Sequence, residues 1–341
     1  MKAARLINGE LTIQELPTPE PGPEDARIRM TSAGVCHSDL HIVRGDWDGI
    51  PRSMPLGHEG IGIVEALGPG AERYISVGDR VILGLGGSGG GYWCGACEFC
   101  LRGDPRLCSQ TRGIMGTFSQ EFTVWAKSLV KFPDSIGDEE APLACGGLTA
   151  YGAVKKLLKN HILPGRPVAI IGAAGGLGHY AVQIASAFGY KVIGVDVGED
   201  RLKFVQSLGA QQVVSADDAA EAARAMGGVD ASIVFSPRIA GFQLGLEMLG
   251  RGGLWVGVGI PASSEGKIEI SPWEFFSKEP RLVYSAVGNV QDMRELVDLA
   301  AAGVVKTHVG RTAALSEVGG VFDDLEAGRY VGRGVLTDMT R

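Results

Sequence analysis

No stretch of this sequence approaches the roughly 18 uninterrupted apolar residues that a membrane span needs, so no spanning helix is expected. Residues 1–16 (MKAARLINGELTIQEL) carry charges and an Asn8-Gly9 break, and they lack the apolar stretch of a secretory signal. Positive charge is in deficit. Lys and Arg number 32 against 39 Asp and Glu, leaving a net charge of -7 and an isoelectric point near 5.5. Such a surface repels phosphate backbones, which argues against a nucleic-acid partner. Cysteine is sparse, with six residues in 341. These absences point to the cytoplasm, where thiols stay reduced, so clustered cysteines indicate a metal rather than disulfides.

What is present is the balance of a globular protein, 45% hydrophobic and 21% charged. The length suits two domains rather than one core. Glycine is abundant, at 52 residues, which predicts many turns and close backbone approaches. Residues 1–147 read as a mostly β domain, with short strands expected at 26–30, 61–65, 79–83 and 122–125 between Gly and Pro. From about residue 148 the rhythm changes. Strands at 168–171, 192–195, 212–214, 233–235, 254–258 and 282–285 alternate with helices at 178–188, 199–208 and 242–249. That alternation implies a doubly wound parallel sheet over 148–287. Two more helical stretches, 290–302 and 315–327, lie in a C-terminal segment, 288–341, expected to return to the first domain. No repeat or low-complexity linker appears; the nearest is the glycine-rich GLGGSGGG at 84–91.

Between the first strand and first helix of the second domain lies IIGAAGGLG, residues 170–178. Gly172, Gly175, Gly176 and Gly178, with Leu177 between the last two, give GxxGGxG, one residue longer than the usual GxGxxG. Small residues there let the chain turn tightly and let a pyrophosphate reach the amides at the helix start. Taken alone, the glycines could mark only a tight turn. The context adds Asp196 at the end of the next strand, where a carboxylate can accept from ribose hydroxyls and repel a 2′-phosphate. NAD is therefore preferred over NADP.

Cys94, Cys97, Cys100 and Cys108 form C-x2-C-x2-C-x7-C, in a lobe over about 94–108. Four thiolates at this spacing suit one tetrahedral zinc with no open position, a structural site. An iron-sulfur cluster remains a possible reading of the spacing. Two cysteines are left, Cys36 in GVCHSDLH and Cys145 in LACGG, and His58 lies in LGHEG. Together these three would give a Cys2His set with a fourth position open to substrate. Spacing alone carries this trio weakly, since a buried Cys is more often packing. His161, His179 and His308 have no such context and read as structural.

At this point the sequence resembles the zinc-containing medium-chain alcohol dehydrogenases, nearest to their yeast and bacterial tetrameric branch. The resemblance runs through AGVCHSDLH, GDWDG, PLGHEG, the four-cysteine lobe, APLACGGLTAY, GAAGGLGHYAVQIA, VDVGED and the final VGRG, in order along the chain. It implies a GroES-like mostly-β catalytic domain and a Rossmann cofactor domain. It implies two zinc ions per chain, NAD, and a homo-tetramer acting on a small alcohol, aldehyde or ketone. Cys36, His58 and Cys145 match the catalytic zinc ligands. Glu59 matches a carboxylate that can exchange at that zinc, and Asp39 the acid that orients the zinc-bound histidine. Ser38 matches the hydroxyl that bonds the substrate oxygen. His41 matches the outer end of a proton relay through the cofactor ribose. His37 and Arg333 match residues at the cofactor pyrophosphate, and Arg201 one near the adenosine ribose. Trp47 matches a bulky wall of the substrate pocket, which favours small or medium apolar alcohols. The stretch 84–91 is longer and richer in glycine than the family pattern. Its pocket-lining side chain has no clear counterpart here; Leu85 is one candidate. A polyol or amino-alcohol dehydrogenase on the same scaffold is the main rival. A non-enzymatic NAD-binding protein would have no use for an open zinc with a Ser-His relay.

Overall fold

A computed structural model of the chain describes residues 1–84 and 91–341. Leu85, the pocket candidate, lies outside the described residues. The chain divides into two compact units, Met1–Leu148 with Gly288–Arg341, and Thr149–Val287.

The first unit is organised around the 11-residue strand Asp25–Val35. Ala26, Ile28 and Met30 alternate inward along its first half, as one-sided burial requires. From Ser32 to Val35 every residue is buried, so alternation ends there and only the first half of the strand is legible as a pattern. Asp25–Val35 pairs antiparallel with Gly60–Leu67, with Glu121–Trp125 and with the late strand Arg333–Asp338. The sheet continues on one side to Val309–Ala314 and on the other through Arg80–Leu83 to Val130–Lys131. A smaller sheet joins Lys2–Ile7 to Glu10–Glu15 and Met54–Pro55. Its hairpin turns on Asn8 (φ 51°) and Gly9 (φ 91°), the pairing that a two-residue turn of type I′ demands. The core gathers Leu6, Ile28, Leu56, Phe118, Leu315 and Leu336, all fully buried.

The second unit holds six parallel strands. Across the sheet they run Gln212–Ser215, Lys191–Asp196, Pro167–Ile171, Val229–Val234, Leu249–Gly257, Arg281–Tyr284. Numbered along the chain this order is third, second, first, fourth, fifth, sixth, the doubly wound arrangement whose ligands bind outside the carboxyl ends of the strands. Element boundaries depart from the sequence reading, most of all in the fifth strand, which begins at Leu249 rather than 254, and not every helix was expected. The fourth strand is Val229–Val234 rather than 233–235. The helix read at 242–249 runs Ile239–Glu247, since Leu249 already pairs in register with Val229. The helix Ala219–Ala225 has only Ala219 and Ala223 as its buried face, too small a stripe to show in the sequence. Among the described residues no helix is long and apolar enough to cross a membrane.

Candidate active site

The buried end of strand Asp25–Val35 runs into the helix His37–Arg44, and Cys36 sits at its N-cap in extended backbone. Asp39, three residues on, is fully buried. One carboxylate oxygen accepts from the Cys36 backbone N–H at 3.2 Å, as the third helical residue does in a capping box. Its other oxygen accepts from the Gly57 amide at 3.2 Å and meets His58 Nδ1 at 3.1 Å. An acceptor on Nδ1 leaves His58 Nε2 as the free ligand nitrogen. His58 immediately precedes the strand Gly60–Leu67 with Glu59 between them, and Cys145 follows the 3-10 turn Asp138–Ala144.

These elements bring the ligand atoms of Cys36, His58, Glu59 and Cys145 within 4.8 Å of one another, all four residues buried. The Cys36 thiol is held well below its ordinary value, first by a hydrogen bond from Cys145 and then by His58 and Arg333 against the cost of burial. Burial opposes a charge on His58, but the Asp39 carboxylate and Cys145 together outweigh it and raise the imidazole well above its ordinary value. Burial pushes the Glu59 carboxyl up to about 7, with the Arg333 guanidinium pulling the other way. Arg333 Nη2 stands 2.6 Å from each Glu59 oxygen, and both side chains are buried. Arg333, expected beside the cofactor, is here the partner of Glu59.

The second cluster is the lobe of Cys94, Cys97, Cys100 and Cys108, whose sulfurs also lie within 4.8 Å of one another. The Cys94 and Cys100 sulfurs are 4.0 Å apart. A zinc tetrahedron with bonds of about 2.3 Å has sulfur-sulfur edges of roughly 3.8 Å, so the spacing fits. Backbone amides of Ala96 and Cys97 point at the Cys94 sulfur, at 3.5 and 3.3 Å, and bring its thiol down to about 6. Those of Cys94 and Gln110 point at Cys108, each at 3.4 Å. Amide donors around sulfur favour the thiolate, the form that binds metal. Four sulfurs at this spacing could fill a metal tetrahedron. In the first cluster Glu59 is tied to Arg333, so Cys36, His58 and Cys145 are three donors with one position over.

Ser38 and His41 stand three residues apart on the helix His37–Arg44, and so share a face. His41 is buried, and its Nδ1 meets an oxygen of Asp46 at 2.7 Å. The Trp47 ring lies 4.9 Å from the His41 ring and the His37 ring 5.1 Å. His37 itself is exposed at the first helical position. Asp46 is the residue that sequence reasoning missed. It lay within the quoted GDWDG, and its side chain can reach back to His41 only because Gly45 (φ 77°) reverses the chain.

In the second unit Gly172 has φ 77°, a left-handed turn that favours glycine. A Cβ on Gly178 would lie 2.1 Å from the Gly172 carbonyl oxygen, so this helix start tolerates no side chain. Gly175 and Gly176 stand in the same turn, and Leu177 caps the helix Gly178–Ala187. Asp196 is buried at the carboxyl end of its strand. It accepts from the Ala174 amide at 2.7 Å and from the Val197 amide at 2.8 Å. Arg201 is 3.7 Å away. Ser285, just past the last strand, has a buried hydroxyl for which no partner is found among the described residues. An open glycine turn at the carboxyl end of the sheet, with a buried carboxylate on the neighbouring strand, fits a dinucleotide.

Residues 22–134 match the family model for the alcohol dehydrogenase GroES-like domain, and residues 176–302 that for zinc-binding dehydrogenase. An alcohol dehydrogenase of Geobacillus stearothermophilus is 37% identical over 98% of this chain and 99% of its own. One from a Moraxella species is 36% identical over the whole of both chains. The chain belongs to the zinc-containing medium-chain alcohol dehydrogenase family. Among solved structures, the alcohol dehydrogenase of the archaeon Aeropyrum pernix superposes with a TM-score of 0.87 at 35% identity, covering 98% of this chain and 99% of that one. The acetophenone reductase of Geotrichum candidum, solved in complex with NAD, gives 0.84 at 31%, covering 99% and 97%.

Proposed function

We propose that this protein is a cytoplasmic, homo-tetrameric alcohol dehydrogenase that reversibly oxidises small or medium, fairly apolar alcohols to aldehydes or ketones. It uses NAD and holds two zinc ions per chain. The observation that carries this reading is the buried Cys36, His58 and Cys145 set, with Asp39 behind His58 and Glu59 engaged by Arg333. The two named relatives, both alcohol dehydrogenases, and the NAD complex of the acetophenone reductase support it.

When bound, zinc supplies Lewis acidity toward the alcohol oxygen, and NAD supplies the hydride acceptor. The chain's own residues do the rest. Cys36, His58 and Cys145 hold the metal, and Asp39 fixes the histidine tautomer. Cys94, Cys97, Cys100 and Cys108 hold the second ion and pin their lobe. Ser38 bonds the substrate oxygen and takes up its proton, which leaves the site at His41. Trp47 provides an apolar wall. The glycine turn at 172–178 and Asp196 seat the dinucleotide, with Arg201 near its ribose.

The test is NADH formation across a panel of simple alcohols, polyols and amino alcohols, with metal analysis of the same sample. Turnover of the simple alcohols and two zinc ions per chain are expected. Cys145→Ala should abolish turnover, retain the lobe zinc and bind NAD as the parent does. A parent preferring polyols, or a Cys145→Ala variant with parental activity, would refute the assignment.

A further inference from the structure

The helix carrying His41 ends at Arg44, and the chain returns over its last turn. The amides of Gly45 and Asp46 donate to the His41 carbonyl at 2.9 and 3.0 Å. This places Asp46 beside the residue it bonds, and its Oδ2 lies 2.7 Å from His41 Nδ1, within the range of a charge-assisted hydrogen bond. The arrangement is braced from outside. Arg52 donates to the Ile42 carbonyl at 2.7 Å and to the Val43 carbonyl at 2.8 Å, tying two carbonyls of the final helical turn. Trp47 and His37 flank the ring. The imidazole is 9% exposed and the Asp46 carboxyl 25%, so the pair spans from the buried ring to solvent.

We propose that Asp46 is the positioning residue of the proton exit, holding His41 as the Nδ1–H tautomer so that Nε2 is the acceptor. A neutral imidazole carries one hydrogen, and a carboxylate only accepts. Opposite Asp46 that hydrogen therefore resides on Nδ1, and Nε2 keeps its lone pair. With the other tautomer the same ring could not take a proton at Nε2. When Nε2 takes up the proton released from the alcohol, the ring becomes an imidazolium facing the Asp46 carboxylate. The same proton then leaves Nε2 for water, and the neutral ring is restored. Asp46 changes no bonds; it selects which nitrogen works. This rests on the reading above that His41 carries the alcohol proton outward.

Two measurements test it. The first assigns the His41 tautomer by long-range proton-nitrogen correlation in histidine-labelled protein, which needs no turnover. Hydrogen on Nδ1 is expected in the parent, and in Asp46→Asn a substantial shift to Nε2, because the amide can present N–H to the ring. The second is a double-mutant cycle on alcohol oxidation near neutral pH. Asp46→Asn should slow oxidation about tenfold in the parent and not at all in a His41→Gln background, with NAD affinity unchanged. Hydrogen on Nε2 in the parent overturns the proposal. So does parental activity in Asp46→Asn, or an equal loss in both backgrounds, which marks a merely structural role. A parent that oxidises no alcohol refutes the function instead, and the tautomer then decides the proposal alone.

Discussion

Replacing Asp39 by Ala removes three contacts made by one fully buried carboxylate. The Cys36 and Gly57 amides lose their acceptor, and His58 Nδ1 loses its partner. Each buried backbone donor left without an acceptor costs about 1–3 kcal/mol, and the freed space adds to this, so a loss of about 3–5 kcal/mol is expected. For a unit of this size that corresponds to a fall of about 10 °C in melting temperature. His58 also becomes free to turn, and loss of such an orienting partner lowers metal affinity about 10- to 100-fold. The assay is calorimetric melting with excess zinc, together with zinc competition by a chromophoric chelator. The cysteine lobe is an internal control, because its four ligands do not involve Asp39. One ion should therefore leave at far lower chelator concentration than in the parent, and the other should be unaffected. Asp39→Asn keeps one carbonyl oxygen but turns an N–H toward a donor, so its loss should fall between parent and Ala. Parent-like melting and retention of both ions in Asp39→Ala would show that this carboxylate neither holds the N-cap nor orients His58.

Cys97→Ser should lower the melting temperature and release one zinc while leaving the Cys36 set loaded, since the closed site contributes folding free energy to its lobe. A variant that melts like the parent in calorimetry excludes a structural ion there. Asp196→Ser should raise the kcat/KM ratio of NADP over NAD by removing a carboxylate that repels a 2′-phosphate. It should also cost about 1–2 kcal/mol in melting, because the Ala174 amide loses its 2.7 Å acceptor; an unchanged cofactor ratio contradicts the assignment.

The features that could be read in the sequence are those whose partners are close along the chain. The four lobe cysteines lie within fifteen consecutive positions, 94–108, and the spacing announces them. The alternation of strands and helices after residue 148 shows the parallel sheet because each crossover is complete within a short segment. Asn8-Gly9 is a hairpin signal, but in the sequence it reads only as a break, because the strands on either side are short and partly exposed. Cys145 has no local pattern at all. It follows the turn Asp138–Ala144, whose last four residues are apolar, where a buried thiol packs as well as it ligates; elimination makes it a weak candidate and the family resemblance carries it.

What no local reading reaches is the charge balance of the candidate metal set. Glu59 and Arg333 are 274 positions apart, one just before a strand and the other at the start of one, and neither type is unusual there. They meet because Arg333–Asp338 pairs with Asp25–Val35, the same strand that pairs with Gly60–Leu67 and ends at Cys36. One central strand thus delivers a thiol, and through two of its neighbours a carboxylate and the guanidinium that occupies it. Were Arg333 absent, Glu59 would be a buried carboxylate within 4.8 Å of three other donors. Such a group must either be protonated or find a cation, and a metal in that set would be the nearest one. The number of positions that Cys36, His58 and Cys145 would leave open to a metal therefore depends on a strand pairing, and the residue types along the chain say nothing about it until that pairing is known.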